Sequence, residues 1–311
     1  MSHSLDRRRI VIYLAFAFGI AWVTSLVIYL TGGLGESPIL IPQLNVSLAL
    51  VLLAGPVMWS PAMAHVLTRL FTGEGWEQTF LRPRLRRGWP YWLIAWLAPG
   101  VLTIGGMAIF FLLFPRHYDP SLGMLRQMLS AQLPEGIDVE ALNLRTLAAV
   151  QVAQALLLSP VLNGVATFGE EFGWRAYLQP KLMGLGQRRG LVLTGVIWGV
   201  WHWPAILMGY NYDFDYPGAP FLGPLAMVWF TVTLGVLLGW LTLKGKSVWP
   251  AVIGHGAING VAGLGTIFLQ GTPNTLLGPT PVGAIGGVGF ALLASGVLVL
   301  LRSDRGSEQN G

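Results

Sequence analysis

The sequence has no cysteine. That excludes a disulfide framework, a thiolate zinc site and a cysteine nucleophile, and it leaves the redox compartment unreadable. Charge is nearly as scarce, at 11% of 311 residues, with only 14 acidic side chains. Chemistry must therefore come from Glu, His, Asn, Arg or hydroxyl groups. What is abundant is apolar: 53% of the residues are hydrophobic and fall in runs of about 20, the length that crosses a ~30 Å hydrocarbon core.

Apolar runs between charged or Pro/Gly-rich breaks predict an all-α polytopic membrane bundle of about eight spans: 10–31, 46–71, 89–115, 146–172, 191–209, 221–243, 248–269 and 281–301. The fourth is expected to continue as helix to Leu182, and Pro160 to bend or open it. The run from Ile10 exceeds a signal-peptide core and reads as a retained first span. The net charge of +5 sits in short inter-span loops, so nucleic acid is not the expected partner. With the N-terminus cytoplasmic, one side collects Arg7, Arg8, Arg9, Arg69, Arg82, Arg84, Arg86, Arg87, Lys181, Arg188, Arg189, Lys244, Lys246, Arg302 and Arg305. The other holds only Arg116, Arg126 and Arg145, which predicts both termini inside. Trp89, Trp92 and Trp249 read as interface anchors, and Leu122, Leu125, Met128, Leu129 and Leu133 as an amphipathic helix on the outer surface, before a Pro134-Glu135-Gly136 turn.

Three polar signatures interrupt the apolar spans: Glu170-Glu171-x-x-x-Arg175, Trp198-x-x-x-His202 and His255-x-x-x-Asn259. Ionisable groups at membrane depth cost about 2.5–3.5 kcal/mol each on insertion scales, so a cluster of them marks chemistry or transport. Glu171 and Arg175, four residues apart, share a helical face and suit a bidentate pair, while Glu170 points about 100° away and is free to act. Trp198 lies one turn before His202, so its indole suits packing on the imidazole. His255 and Asn259 repeat that spacing among Gly254, Gly256 and Gly260, which allow close helix approach. Counting along the helices places the three groups in one cavity expected to open toward the cytoplasm. His65, without a partner motif, reads as a structural hydrogen bond, and Gln151, Gln154 and Asn163 as interhelical hydrogen-bonding groups. The acidic, aromatic segment 210–216 reads as an interface anchor or a gate.

In order and spacing, these signatures resemble the CPBP family of intramembrane proteases, which contains type II CAAX prenyl endopeptidases and bacteriocin-processing or self-immunity proteins. The resemblance covers residues 146–269 as catalytic core spans, flanked by 1–145, which carries no motif, and by 270–311, the last span and tail, within one membrane domain. Where the family commonly has Phe-x-x-x-His, this chain has Trp198. The resemblance implies an eight-helix bundle that hydrolyses a peptide bond of a membrane-associated protein or peptide, in the plasma membrane of a prokaryote, with lipids as surroundings. It does not transfer a prenylated substrate.

On that reading Glu170 is the general base, His202 shares the water and shuttles its proton, and His255 with Asn259 holds the oxyanion. Glu171 and Arg175 orient Glu170, and Trp198 supports His202. A zinc mechanism uses the same residues differently, with Glu170, His202 and His255 as a His₂Glu ligand set, and both uses remain open. No Gly-x-Ser-Gly and no Asp within a span is present for a serine or aspartyl mechanism. A proton-coupled transporter is the alternative from another class, since Glu/His chains also serve as relays, and a non-enzymatic immunity protein is a further one.

Overall fold

The computed structural model describes residues 6–133 and 138–307. The expected Pro134-Glu135-Gly136 turn lies outside them. Asp6 caps α1 (Arg7–Leu30) by accepting from the Arg9 amide. A short hairpin, β1 (Ile39–Ile41) and β2 (Val46–Ser47), is an addition to the all-α expectation. Ser47 then caps α2 (Leu48–Leu52), which runs through a π turn, Leu53–Val57, into α3 (Met58–Thr72). Pro56 explains the widened turn, because it lacks the N–H that a regular helix needs. Gly73, at φ 64°, ends α3 in the left-handed conformation that glycine adopts most easily. Helix α4 (Leu85–Leu113) follows, then α5 (Gly123–Gln132).

The fourth expected span is broken. It consists of α6 (Leu144–Leu157), α7 (Ser159–Leu162), α8 (Gly164–Gly173), a π segment Trp174–Leu178 and α9 (Gln179–Leu182). Pro160 makes the first break, as expected, and Asn163 sits at the second. The fifth span is also divided, into α10 (Gln187–Trp201) and α11 (Trp203–Leu207), because Pro204 has no N–H to continue the ladder. Helices α12 (Leu222–Gly245), α13 (Trp249–Val261) and α14 (Val288–Ser307) complete the bundle. Among the described residues five helical stretches are long and apolar enough to cross a membrane: Arg7–Leu30, Leu48–Thr72, Leu85–Leu113, Leu222–Gly245 and Trp249–Phe268. Leu144–Leu157 and Val288–Leu301 are shorter apolar helices.

Small residues and amides bring the site-bearing helices together. A side chain on Gly169 would meet the Met58 carbonyl and Trp59, so α8 rests directly on α3. Gly256 likewise faces the Pro160 carbonyl, which brings α13 against α7. Asn163 donates to the Gly256 carbonyl and Thr167 to that of Val252, both at 3.0 Å, which ties α8 to α13. Gln151 and Gln154 make no such side-chain bond among the described residues; both lie on the more exposed α6.

The two ends of the bundle differ in charge. At one, Arg9 reaches Thr72 and Asp6, Lys181 pairs with Glu74 at 2.7 Å, and Trp249 donates to the Leu81 carbonyl. Burial opposes ionisation of Glu74, but hydrogen bonds from Lys181 and Tyr177 outweigh it and hold the carboxyl below its usual value. Leu301 of α14 packs with Leu191 and Val297 near this end. The opposite end is made of loops: Asp119 donates to Phe268, Gln270 to Arg116, and the Tyr212 hydroxyl to Val282. There α5 lies as an amphipathic helix, with Leu122 and Leu125 buried on Leu144, Ala148 and Ile267 while Met128 stays exposed.

Candidate active site

The helix breaks position the polar side chains. His202 stands where α10 gives way to α11, so its imidazole leaves a helix end rather than a helix wall. Trp22 of α1 donates to the Trp201 carbonyl at 3.2 Å and pins this break to the N-terminal part of the chain. Glu170 and Glu171 lie in the last turn of α8, just before the π segment that carries Arg175. His255 and Asn259 lie on α13, whose last residue is Val261.

Glu170, Trp198, His202, His255 and Asn259 all line one cavity of about 230 Å³. Glu170 is 2% exposed, and its Oε2 accepts a 2.6 Å hydrogen bond from the Trp198 indole. Its Oε1 makes no hydrogen bond among the described residues. The His202 Nδ1 lies 2.8 Å from the Trp198 carbonyl, which can only accept, so Nδ1 carries the proton and Nε2 keeps its lone pair. His255 is held the same way: its Nδ1 lies 2.8 Å from Glu171 Oε1. Asn259 is exposed to the cavity.

Glu171 and Arg175 form the expected pair, with Nη1 donating to Oε1 and Nε lying 3.1 Å from Oε2, both residues fully buried. Neither bonds directly to Glu170 among the described residues, and Glu171 also holds His255 through Nδ1. Trp198 also does more than pack on His202, whose ring lies 5.6 Å away. Its N–H fixes Glu170, its carbonyl fixes His202, its face carries the Arg175 guanidinium at 4.3 Å, and its edge meets His255 at 5.2 Å. Trp174 and Trp201 are buried beside it, so these three indoles belong to the core and not to the membrane interface. Spacing alone gave no sign of this, because the Trp198 partner Glu170 is 28 residues away and the Glu171 partner His255 is 84 residues away.

Trp198→Phe keeps the ring over Arg175 and removes the donor to Glu170. A hydrogen bond to a charged group contributes about 1.5–3 kcal/mol, so turnover is expected to fall about 10- to 100-fold with little change in melting temperature. A steady-state rate beside a melting curve checks this; an unchanged rate would leave the indole without a positioning role.

The cavity opens away from the basic end, contrary to the expected cytoplasmic mouth. Its wall includes Tyr210, Asn211 and Val282 from the opposite loops, while Trp174, Arg175, Tyr177, Leu178 and Gln179, none more than 1% exposed, fill the space beneath it. Counting residues gives depth along a helix but not which end aromatic side chains close. Ser25, Leu53, Val57 and Met58 also reach the wall, so segments without a motif help to build it. The 210–216 segment acts as a cap, with Tyr212 and Tyr216 buried and Tyr212 tied to Val282 and Thr275. His65 is structural, as expected: it bridges the Phe172 carbonyl and Arg69 Nε.

Glu170, His202 and His255 are suitable residue types for zinc, with both imidazoles presenting Nε2 and held through Nδ1. As placed, no group of three His, Cys, Asp or Glu side chains among the described residues could hold a metal ion.

Fold and cavity together define a polytopic helical membrane protein with a buried Glu/His site. Residues 151–261, which contain all three signatures, match the family described as type II CAAX prenyl endopeptidase Rce1-like. A 96-residue stretch is 31% identical to a CAAX prenyl protease 2 of Methanococcus maripaludis, covering 30% of this chain and 35% of that protein. The chain thus matches about a third of the length of this curated relative. Both findings support the CPBP family for the chain.

Proposed function

We propose that the protein is an intramembrane endopeptidase that hydrolyses a peptide bond of a membrane-associated protein or peptide without an obligatory metal. The observation that carries this reading is the Glu170 carboxylate, buried and fixed through one oxygen, with its other oxygen free in the cavity that His202, His255 and Asn259 share. Water bound there gives a proton to Glu170 Oε1 as its oxygen bonds to the scissile carbonyl carbon. The oxyanion that forms accepts from the Asn259 amide and faces His255, which Glu171 orients through Nδ1. His202 Nε2 takes that proton from Glu170 Oε1 and passes it to the leaving nitrogen as the C–N bond breaks; the products are a carboxylic acid, which keeps the other proton of the water, and an amine.

The test is cleavage of a peptide library by protein purified in detergent, comparing wild type with Glu170→Ala, with and without a chelator. The expected result is fragments from wild type alone, at a rate the chelator leaves unchanged. A metal requirement would restore the zinc use of the same residues, and an intact library with folded wild type would favour a transporter or non-enzymatic role.

A further inference from the structure

We infer that the cavity takes its substrate from the extracytoplasmic side of the membrane, so that the scissile bond belongs to a translocated or outward-facing segment of a membrane-anchored polypeptide. This deepens the proposed endopeptidase reading and rests on it. Two independent observations meet here.

The first is charge. The end formed by the start of α1, the loop after α3, the segment after α9 and the end of α12 carries Arg7–Arg9, the Arg82, Arg84, Arg86 and Arg87 run, Arg188, Arg189 and Lys246. The loop end has Arg116, Arg126 and Arg145 as its basic residues, and Arg126 is paired with Glu140. Basic loops stay on the cytoplasmic side, so the loop end faces out.

The second is the direction of the cavity. Glu170 and Trp198 form its floor, at 2% and 1% exposure, and the buried Arg175, Tyr177, Leu178 and Gln179 seal it from the basic end. Along α10, His202 lies 15 residues beyond Gln187, about 22 Å from the basic end at ~1.5 Å per residue. The wall then rises to Tyr210, 46% exposed, and Asn211, in the loop fixed to Val282. A cytoplasmic C-terminal tail has no path to Glu170 past that seal. An extended segment at the outer surface has one. Met58, Met227, Phe230 and Ile258 along the wall suit an apolar side chain next to the scissile bond, and the exposed Asp213 and Asp215 lie in the same loop as the wall residues Tyr210 and Asn211.

The chain has no native cysteine, so single cysteines report cleanly. Asp213→Cys in the loop of Tyr210 and Asn211 and Arg86→Cys at the basic end are both exposed and outside the reacting group set. In intact cells a membrane-impermeant maleimide should label Asp213→Cys, and Arg86→Cys only after permeabilisation. Beside this, two single-span reporters present the same apolar-flanked segment outside or, with flanking Lys/Arg exchanged, inside. Only the outward reporter should be cut, and Glu170→Gln should abolish that cut. Labelling of Arg86→Cys from outside, or cleavage of the inward reporter, would overturn the inference. If labelling is as expected and neither reporter is cut, the orientation stands while the endopeptidase reading fails, and the substrate assignment falls with it.

Discussion

Glu170→Gln is expected to fold normally and to lose cleavage by about 10²–10⁴-fold, the range supplied by a positioned general base. The amide has the shape of the carboxylate and keeps an oxygen for the Trp198 indole, so the hydrogen bond that positions residue 170 survives. What it lacks is the basic oxygen facing the cavity. No ion pair involves Glu170 among the described residues, so no buried cation is stranded. A melting curve in detergent beside a cleavage rate separates the two effects. Full activity in this variant would remove Glu170 from the reaction.

The adjacent carboxylate should behave in the opposite way. Glu171 is fully buried, contacts Arg175 through both oxygens and holds His255 Nδ1. Glu171→Gln strands the Arg175 guanidinium above Trp198 and weakens the grip on His255. Breaking a buried pair costs about 3–5 kcal/mol, so a large fall in melting temperature is expected along with lost activity. Arg175→Met would show the same instability from the other partner. If Glu171→Gln proved stable but inactive while Glu170→Gln unfolded, the two roles would be exchanged.

These two residues show what the sequence made legible. Helical spacing separated Glu171 from Glu170, because residues four apart share a face and neighbours do not. It also identified the Pro160 break, since a proline without an N–H interrupts any helix in the same way. The motif residues were found because ionisable groups are rare among apolar spans. The partners of Trp198 and Glu171 were not legible, since they lie on other helices and pairing across a bundle depends on how helices pack. The break that frees His202 had a signal in Pro204, whereas nothing marked Ser25 or Met58 as cavity residues. Charge asymmetry gave the orientation expected from the sequence, but the direction of the cavity emerged only when the aromatic seal around Trp174 and Tyr177 was in place.

The central claim is that Glu170, His202 and His255 act as one catalytic unit in the cavity. Its most direct measurement is kcat/KM for Glu170→Gln, His202→Ala and the double variant on one cleaved peptide. Residues that act as a unit lose together, so the account predicts that each single variant is nearly inactive and that the double is no worse than the more damaged single. Near-wild-type cleavage by either folded single variant, or losses that multiply in the double, would contradict it.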